Sequence, residues 1–336
     1  MRAVRLEAIG DMALREVAKP IAGPGEVLVK VEAVGICGSD RHMFKGEYPT
    51  GRPVTLGHEF CGIVEAVGEG VSRLRGGERV TVDPNIACGV CAACRNGRVN
   101  LCDALVAIGV FRDGGFADYV AVPQGQVFVL PAETDPVHGA FCEPLACCLH
   151  GLDVARIRPG DSVAVLGGGV IGLLMVQLAR LAGARQIVLV TRQQARRELA
   201  LQIGATHAID PVSSDPVAAI TALTDGGVDV VLECAGVPET LVQGIRMARK
   251  GGVVVLFGVA PAGLQVPIEP FDLLVREVRI EPAYLNPHTH GRAAAMIASG
   301  VLELDRLVTR RIGLEEVAGV VGRAPEPGEI KVVALP

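Results

Sequence analysis

Four cysteines, Cys88, Cys91, Cys94 and Cys102, fall within one short segment, CGVCAACRNGRVNLC, separated by two, two and seven residues. Four thiolates on a loop this tight can complete a tetrahedral shell around zinc. They leave no position for water or substrate, so an ion held there is structural. The rival is an iron–sulfur cluster, whose bacterial cysteine run closes with a three-residue gap and Cys-Pro. Here the last gap is seven residues, and Leu101 rather than a proline adjoins the final cysteine. The spacing therefore favours zinc.

A second set of metal-ligand types is dispersed. Cys37 lies in GICGSD, His58 and Glu59 in LGHEF, and Glu143 in FCEPLA. A mixture of sulfur, nitrogen and oxygen donors with room for water is the pattern of a catalytic zinc. Spread over a hundred residues, the set is not specified by spacing, and a His beside a Glu is ordinarily a satisfied polar pair.

The third motif is a glycine turn. Leu166 ends an apolar run and is followed by Gly167, Gly168, Gly169, Val170, Ile171 and Gly172, a G-x-G-x-x-G that opens a helix. Gly167 permits the tight turn, Gly169 lets the backbone approach a pyrophosphate, and Gly172 lets helix and strand pack closely. Free N–H groups at the helix start then face the phosphate charge. An acidic residue about 20 positions on would bind a ribose 2′-hydroxyl. This chain instead reads Thr191 and Arg192, with Arg196 and Arg197 on the next helix. Guanidinium groups suit a 2′-phosphate, so the expected cofactor is NAD(P), with NADP(H) favoured over NAD(H). The plainer reading of these arginines is a solvated basic helix start.

The elements around these motifs divide in texture. Up to about residue 150, short strands are cut by glycine and proline: Val27 to Val34, Gly62 to Val67 and Arg79 to Val82. From Ser162 onward apolar strands alternate with helices. The strands are Val163 to Leu166, Gln186 to Val190, Val228 to Cys234, Val253 to Phe257 and Val278 to Glu281. The helices are Val170 to Ala182 and Gln193 to Ile203. Such alternation predicts a doubly wound parallel α/β sheet. A helix from Arg292 to Ser299 follows, and the last 35 residues read as strands that return to the first domain. The expected domains are 1–152 with 291–336, and 153–290.

Composition excludes several classes. Of 336 residues, 50% are hydrophobic and the net charge is −5. That is ample for cores and lacks the basic surplus of a nucleic-acid binder. Aromatic residues make up 3% with no Trp, which disfavours base stacking. No run of about 18 apolar residues suggests a membrane span. Met1 to Pro20 lacks the apolar core of a signal peptide, so a reducing, cytoplasmic setting is expected. There, clustered cysteines act as metal ligands more often than as disulfides. Cys61, Cys142, Cys147, Cys148 and Cys234 read as packed thiols, and His138, His150 and His207 as packing or surface residues. His288 and His290, in NPHTH, receive no role.

Taken in order, GICGSD with Asp40 and His42, GHEFCGIV, the four-cysteine loop, EPLA and GGGVIG resemble the zinc-dependent medium-chain dehydrogenase/reductase family. The likeness is strongest to its polyol and threonine dehydrogenase branch, and it covers essentially the whole chain. The resemblance implies a GroES-like β-rich catalytic domain and a Rossmann nucleotide domain, with two zinc ions per chain. Cys37 and His58 would be direct ligands of the catalytic one. Glu143 occupies a position that is cysteine in alcohol dehydrogenases, and either Glu59 or Glu143 could be the direct carboxylate ligand.

Ser39 and His42 match a relay that carries the hydroxyl proton away. The implied reaction is hydride transfer between a secondary alcohol, such as a polyol or sugar alcohol, and NAD(P). L-Threonine or another hydroxy-amino acid is the alternative substrate, and a non-catalytic zinc- and cofactor-binding homologue is the alternative class. The resemblance also implies a homo-oligomer, tetramer or dimer, with the strand near Val278 to Tyr284 available for pairing across a two-fold.

Overall fold

The computed structural model describes residues Met1–Pro336. The chain forms two compact units, Met1–Ala146 with Asn286–Pro336, and Cys147–Leu285.

The first unit is built on a mainly antiparallel sheet. Its spatial order is Val127–Val129, Arg79–Val82, Glu59–Val67, Glu26–Gly35, Lys331–Ala334 and Val308–Ile312, with Tyr119–Pro123 also paired to Glu26–Gly35. The alternating run VLVKVEAV makes Glu26–Gly35 the central strand. Val27, Val29 and Val31 enter the core with Phe60, Val64, Val80, Phe116 and Val120, while Lys30 stays exposed. Each such side chain contributes roughly 1.5–3 kcal/mol of hydrophobic stabilisation. Register matters for the site, because Gly35 lies opposite Glu59 on one side and opposite Val333 on the other. The C-terminal strand is thereby paired with the end of Glu26–Gly35, two residues before Cys37.

The second unit holds a six-stranded, wholly parallel sheet. The order is His207–Ile209, Gln186–Val190, Ser162–Leu166, Val228–Glu233, Ala248–Leu256 and Arg279–Pro282. Numbered along the chain this is 3-2-1-4-5-6, the doubly wound order in which ligands bind beyond the C-terminal ends of strands 1 and 4. All five residues of Ser162–Leu166 are buried, as a strand covered on both faces requires. Helix Val170–Leu181 buries Gly172 through Ala179 without interruption, which matches its lack of a polar face.

The first unit is β-rich, as expected, and also contains helices. It includes helix Gly38–Lys45 and the start of helix Cys142–Ala155, both short or apolar enough to escape a periodicity reading. The last 35 residues are not all strand, since Leu314–Gly322 is a helix burying Leu314, Val317, Val320 and Val321 at helical spacing. The two compact units divide at 146/147 and at 285/286. The first boundary falls inside a continuous helix, where no loop marks it. At the second, Asn286 bonds Asp83 and Asn85, Thr289 donates to the Ala146 carbonyl at 2.7 Å, and His290 meets Thr81, which ties this segment to the first unit.

Candidate metal centres and cofactor turn

Cys37 is the N-cap of helix Gly38–Lys45, and its backbone N–H donates to Asp40 Oδ2 at 2.8 Å. The other Asp40 oxygen, Oδ1, stands 3.5 Å from His58 Nδ1, and neither atom has another partner. One buried carboxylate therefore anchors the loop that presents a thiol and faces the ring that presents an imidazole. His58 Nε2 lies 3.4 Å from Ser39 Oγ. Gly57, at φ +91°, makes the turn into His58, where a Cβ would press on the Phe116 backbone.

Donor atoms of Cys37, His58 and Glu59 all lie within 4.8 Å of one another. Burial opposes charge on His58, yet the Asp40 and Cys37 charges outweigh it and raise its pKa well above the ordinary value. A buried site that favours an imidazolium against desolvation is one that attracts cations. A carboxylate behind the imidazole is also the usual support for a metal-ligating histidine. The donor set fits zinc.

Glu143 is buried as expected of a site residue but falls outside this group of three. A residue not anticipated from the sequence enters instead. Lys331, 1% exposed, ion-pairs through Nζ with Glu59 Oε2 and donates to the Ile36 carbonyl at 3.1 Å. Burial pulls its pKa down, but the charges of Glu59, Cys37 and Glu143 win and hold it above the ordinary lysine value. The one available signal was a lysine at the head of the strand KVVA, at a position that should be apolar.

The four-cysteine loop forms the second donor group. The Cys88 N–H reaches Cys102 Sγ at 3.2 Å and the Cys91 N–H reaches Cys88 Sγ at 3.4 Å. Backbone donation from Cys94 and Asp103 lowers the Cys91 pKa to about 6, and donation from Val90 and Cys91 lowers that of Cys88. Cys94 is pushed up to about 12 by burial and by its thiol neighbours. Amides aimed at sulfur stabilise thiolates, the ligating form. The loop fits a closed zinc site.

The glycine turn follows the fingerprint position by position. Gly167 adopts φ +104°, which an L side chain rarely tolerates. A Cβ on Gly172 would collide with the Gly167 carbonyl oxygen, whereas one on Gly169 would meet nothing within 4 Å. Gly172 thus serves packing, and Gly169 faces open space at the start of Val170–Leu181, a helix with no side-chain cap. Its first N–H groups suit an anion. Thr191 is buried against Gly168. Arg192 is exposed and Arg196 half-buried. Arg197 is occupied, donating to the carbonyls of Thr191 and Arg192 at 2.8 Å and pairing with Asp210, so it braces the strand end. Glu233, unremarked in the sequence, is 2% exposed and accepts from Ala235, Gly236 and Thr240, shaping the loop that adjoins Gly167.

Other predicted residues find local partners. His42 Nδ1 contacts Glu47 Oε2 at 2.6 Å, and His138 contacts Asp305 at 2.9 Å. His290 is buried against Phe128, ring centroids 5.0 Å apart, with Nε2 at Thr81 Oγ1. His288 sits at φ +59°.

Comparison with known proteins agrees with this geometry. Residues 23–132 match the alcohol dehydrogenase GroES-like domain, and residues 170–299 match the zinc-binding dehydrogenase domain. Sorbitol dehydrogenase of Bacillus subtilis is 33% identical over 330 residues, covering 96% of this chain and 93% of that protein. L-Threonine 3-dehydrogenase of Thermococcus kodakarensis is 35% identical over 308 residues, covering 89% and 87%. A crystal structure from Sinorhizobium meliloti, described as a zinc-binding dehydrogenase bound to NADP, is 56% identical, covers 100% of this chain and 99% of that one, and superposes with a TM-score of 0.99. The chain therefore belongs to the zinc-dependent medium-chain dehydrogenase/reductase family, in the branch that includes polyol and threonine dehydrogenases, and is an alcohol-oxidising enzyme of that family.

Proposed function

We propose that the chain oxidises a polyol, sugar alcohol or similar secondary alcohol, using NADP in preference to NAD, at a zinc site made by Cys37, His58 and Glu59 with Glu143 nearby. The observation that carries the reading is the convergence of those first three donors within 4.8 Å, backed by a buried carboxylate. Bound zinc supplies a Lewis acid that acidifies the substrate hydroxyl and, in reverse, polarises the carbonyl. A dinucleotide held at the glycine turn Gly167–Gly172 would supply a nicotinamide as the hydride acceptor or donor.

The chain's own residues orient and deprotonate. Ser39 lies beside His58 and would take the hydroxyl proton while giving up its own, by way of the cofactor ribose, to His42. His42 stands three residues further along the same helix, on the same face, and would release the proton to solvent. The 44% exposure of the His42 side chain suits an outlet.

NADP preference is supported by the absence of an acid after strand Gln186–Val190, by Arg192 and Arg196, and by the NADP-bound relative of 56% identity. The enzyme works in the cytoplasm, where ten cysteines outside any disulfide can persist as metal ligands and packed thiols. It works as a homo-oligomer, a tetramer or dimer. Strand Arg279–Pro282 ends its sheet with an unpaired edge, and Phe271, Leu274 and Val275 stand exposed on the adjacent helix Pro270–Arg276. Antiparallel pairing with a second copy about Ile280 would set Arg279 opposite Glu281.

The test is a panel of polyols, secondary alcohols and L-threonine with both cofactors, followed at the nicotinamide absorbance. The expected result is turnover of a polyol with kcat/KM at least tenfold higher for NADP, a difference of about 1.4 kcal/mol. Faster oxidation of threonine would reassign the substrate, and a preference for NAD would reject the role given to the arginines.

A further inference from the structure

Lysine and glutamate side chains are rarely fully buried, and a buried ion pair is seldom worth its desolvation as a source of stability. Lys331 and Glu59 are nevertheless 1% and 2% exposed at the side chain. The fold makes room for them. Gly35, between their two strands, has no side chain, and a Cβ there would overlap Glu59 Oε2 and come within 2.7 Å of Lys331 Cε. The fold also fixes the strand that carries the lysine. Arg41, on the helix capped by Cys37, bonds Glu329 Oε1 at 2.8 Å and the carbonyls of Val320 and Arg323. The C-terminal segment is thus tied to the loop that presents a metal ligand, and it delivers one ammonium to another.

We propose that Lys331 is a positioning residue of the metal site. Its ammonium holds Glu59 by one carboxylate oxygen and takes up part of its charge, so that Glu59 stays within reach of the metal as a weak donor instead of a tight ligand. The charge balance agrees. A Cys37 thiolate with the Asp40, Glu59 and Glu143 carboxylates outweighs a dication, and Lys331 removes one unit of that excess negative charge. A less negative site keeps more of the metal's electrophilicity for the substrate. The proposal rests on the metal-centre reading above.

The test uses the full-length enzyme with cobalt(II) exchanged into the Cys37–His58 site and zinc kept in the four-cysteine loop. Four proteins are compared: wild type, Lys331→Met, Glu59→Gln and the double variant. In Lys331→Met the freed carboxylate should bind the metal fully. The visible cobalt band then shifts, a chelator strips the metal on the order of tenfold more slowly, and kcat falls by a similar factor. With Glu59 replaced, removing Lys331 should change neither the band nor the stripping rate, because the lysine acts through that carboxylate.

An unaltered cobalt band and stripping rate in Lys331→Met overturns the proposal. So does an equal effect of removing the lysine with and without Glu59. Should Lys331→Met not fold, the proposal requires the double variant, which removes both charges of the Lys331–Glu59 pair, to fold with the spectrum of Glu59→Gln, and failure there also overturns it. Wild type that takes up only the metal of the four-cysteine loop refutes the metal-centre reading and this proposal with it.

Discussion

Asp40 serves two ligands at once, with Oδ2 on the Cys37 N–H at 2.8 Å and Oδ1 at 3.5 Å from His58 Nδ1. The pairing leaves the opposite ring nitrogen, Nε2, directed toward Ser39 and the donor group. Replacing Asp40 with Asn can keep the first contact, but it turns an NH2 group toward Nδ1 or loses the negative charge behind the ring. Loss of such outer support usually costs 10–100-fold in metal affinity. Asp40→Asn should therefore lose one zinc per chain to a chelator that spares the wild type, while the four-cysteine zinc stays. Equal resistance of variant and wild type would remove Asp40 from the site.

That relation also marks how far the sequence could be read. The four-cysteine loop and the glycine turn were legible because each is local, with spacing alone encoding the chemistry. The second sheet was legible because Ser162–Leu166 and its parallel neighbours are continuous apolar runs. The Cys37–His58–Glu59 group was not legible by spacing, since antiparallel pairing of Glu26–Gly35 with Glu59–Val67 is what joins it. Lys331 was invisible for the same reason. It lies 272 positions from Glu59, and no local pattern announces a buried pair closed by the last strand. The helices at Gly38–Lys45 and Leu314–Gly322 were missed because each is under three turns and sits in a glycine-rich context.

The two glycines of the turn should separate packing from binding. Gly172→Ala drives a methyl into the Gly167 carbonyl, an overpacking that costs about 1–3 kcal/mol. Its melting temperature should drop by a few degrees without any cofactor present. Gly169→Ala meets open space and should melt like the wild type. Its methyl occupies the approach to the pyrophosphate, so the Kd for NADP should rise at least tenfold. A Gly169→Ala protein with unchanged cofactor affinity would mean that the phosphate does not lie there.

Cys91→Ser tests the closed zinc site. Its thiol pKa is lowered to about 6 by backbone N–H groups of Cys94 and Asp103, which favours the ligating thiolate. The variant should contain one zinc per chain instead of two and should unfold at lower temperature. Its kcat/KM per folded molecule should remain near the wild-type value, because no position of a closed site meets substrate. Loss of catalysis in protein that is still fully folded would argue that the loop does more than hold structure.

His290 gives the fold a pH dependence of definite sign. Burial lowers its pKa from 6.5 to about 3, and its ring packs at a tilt of 38° against Phe128 with Nδ1 unpartnered. The unfolded chain takes up a proton near pH 6.5 that the folded chain refuses until about pH 3. The stability this neutral imidazole permits is therefore intact above pH 6.5 and is lost as the pH falls below it. The slope approaches about 1.4 kcal/mol per pH unit within that window. His290→Phe keeps an aromatic ring against Phe128 and removes the proton site. Between pH 6 and 4.5, a range set roughly by those two values, its urea midpoint should decline less steeply than that of the wild type. Parallel declines in the two proteins would show that other groups control acid unfolding and that the buried imidazole has no part in it.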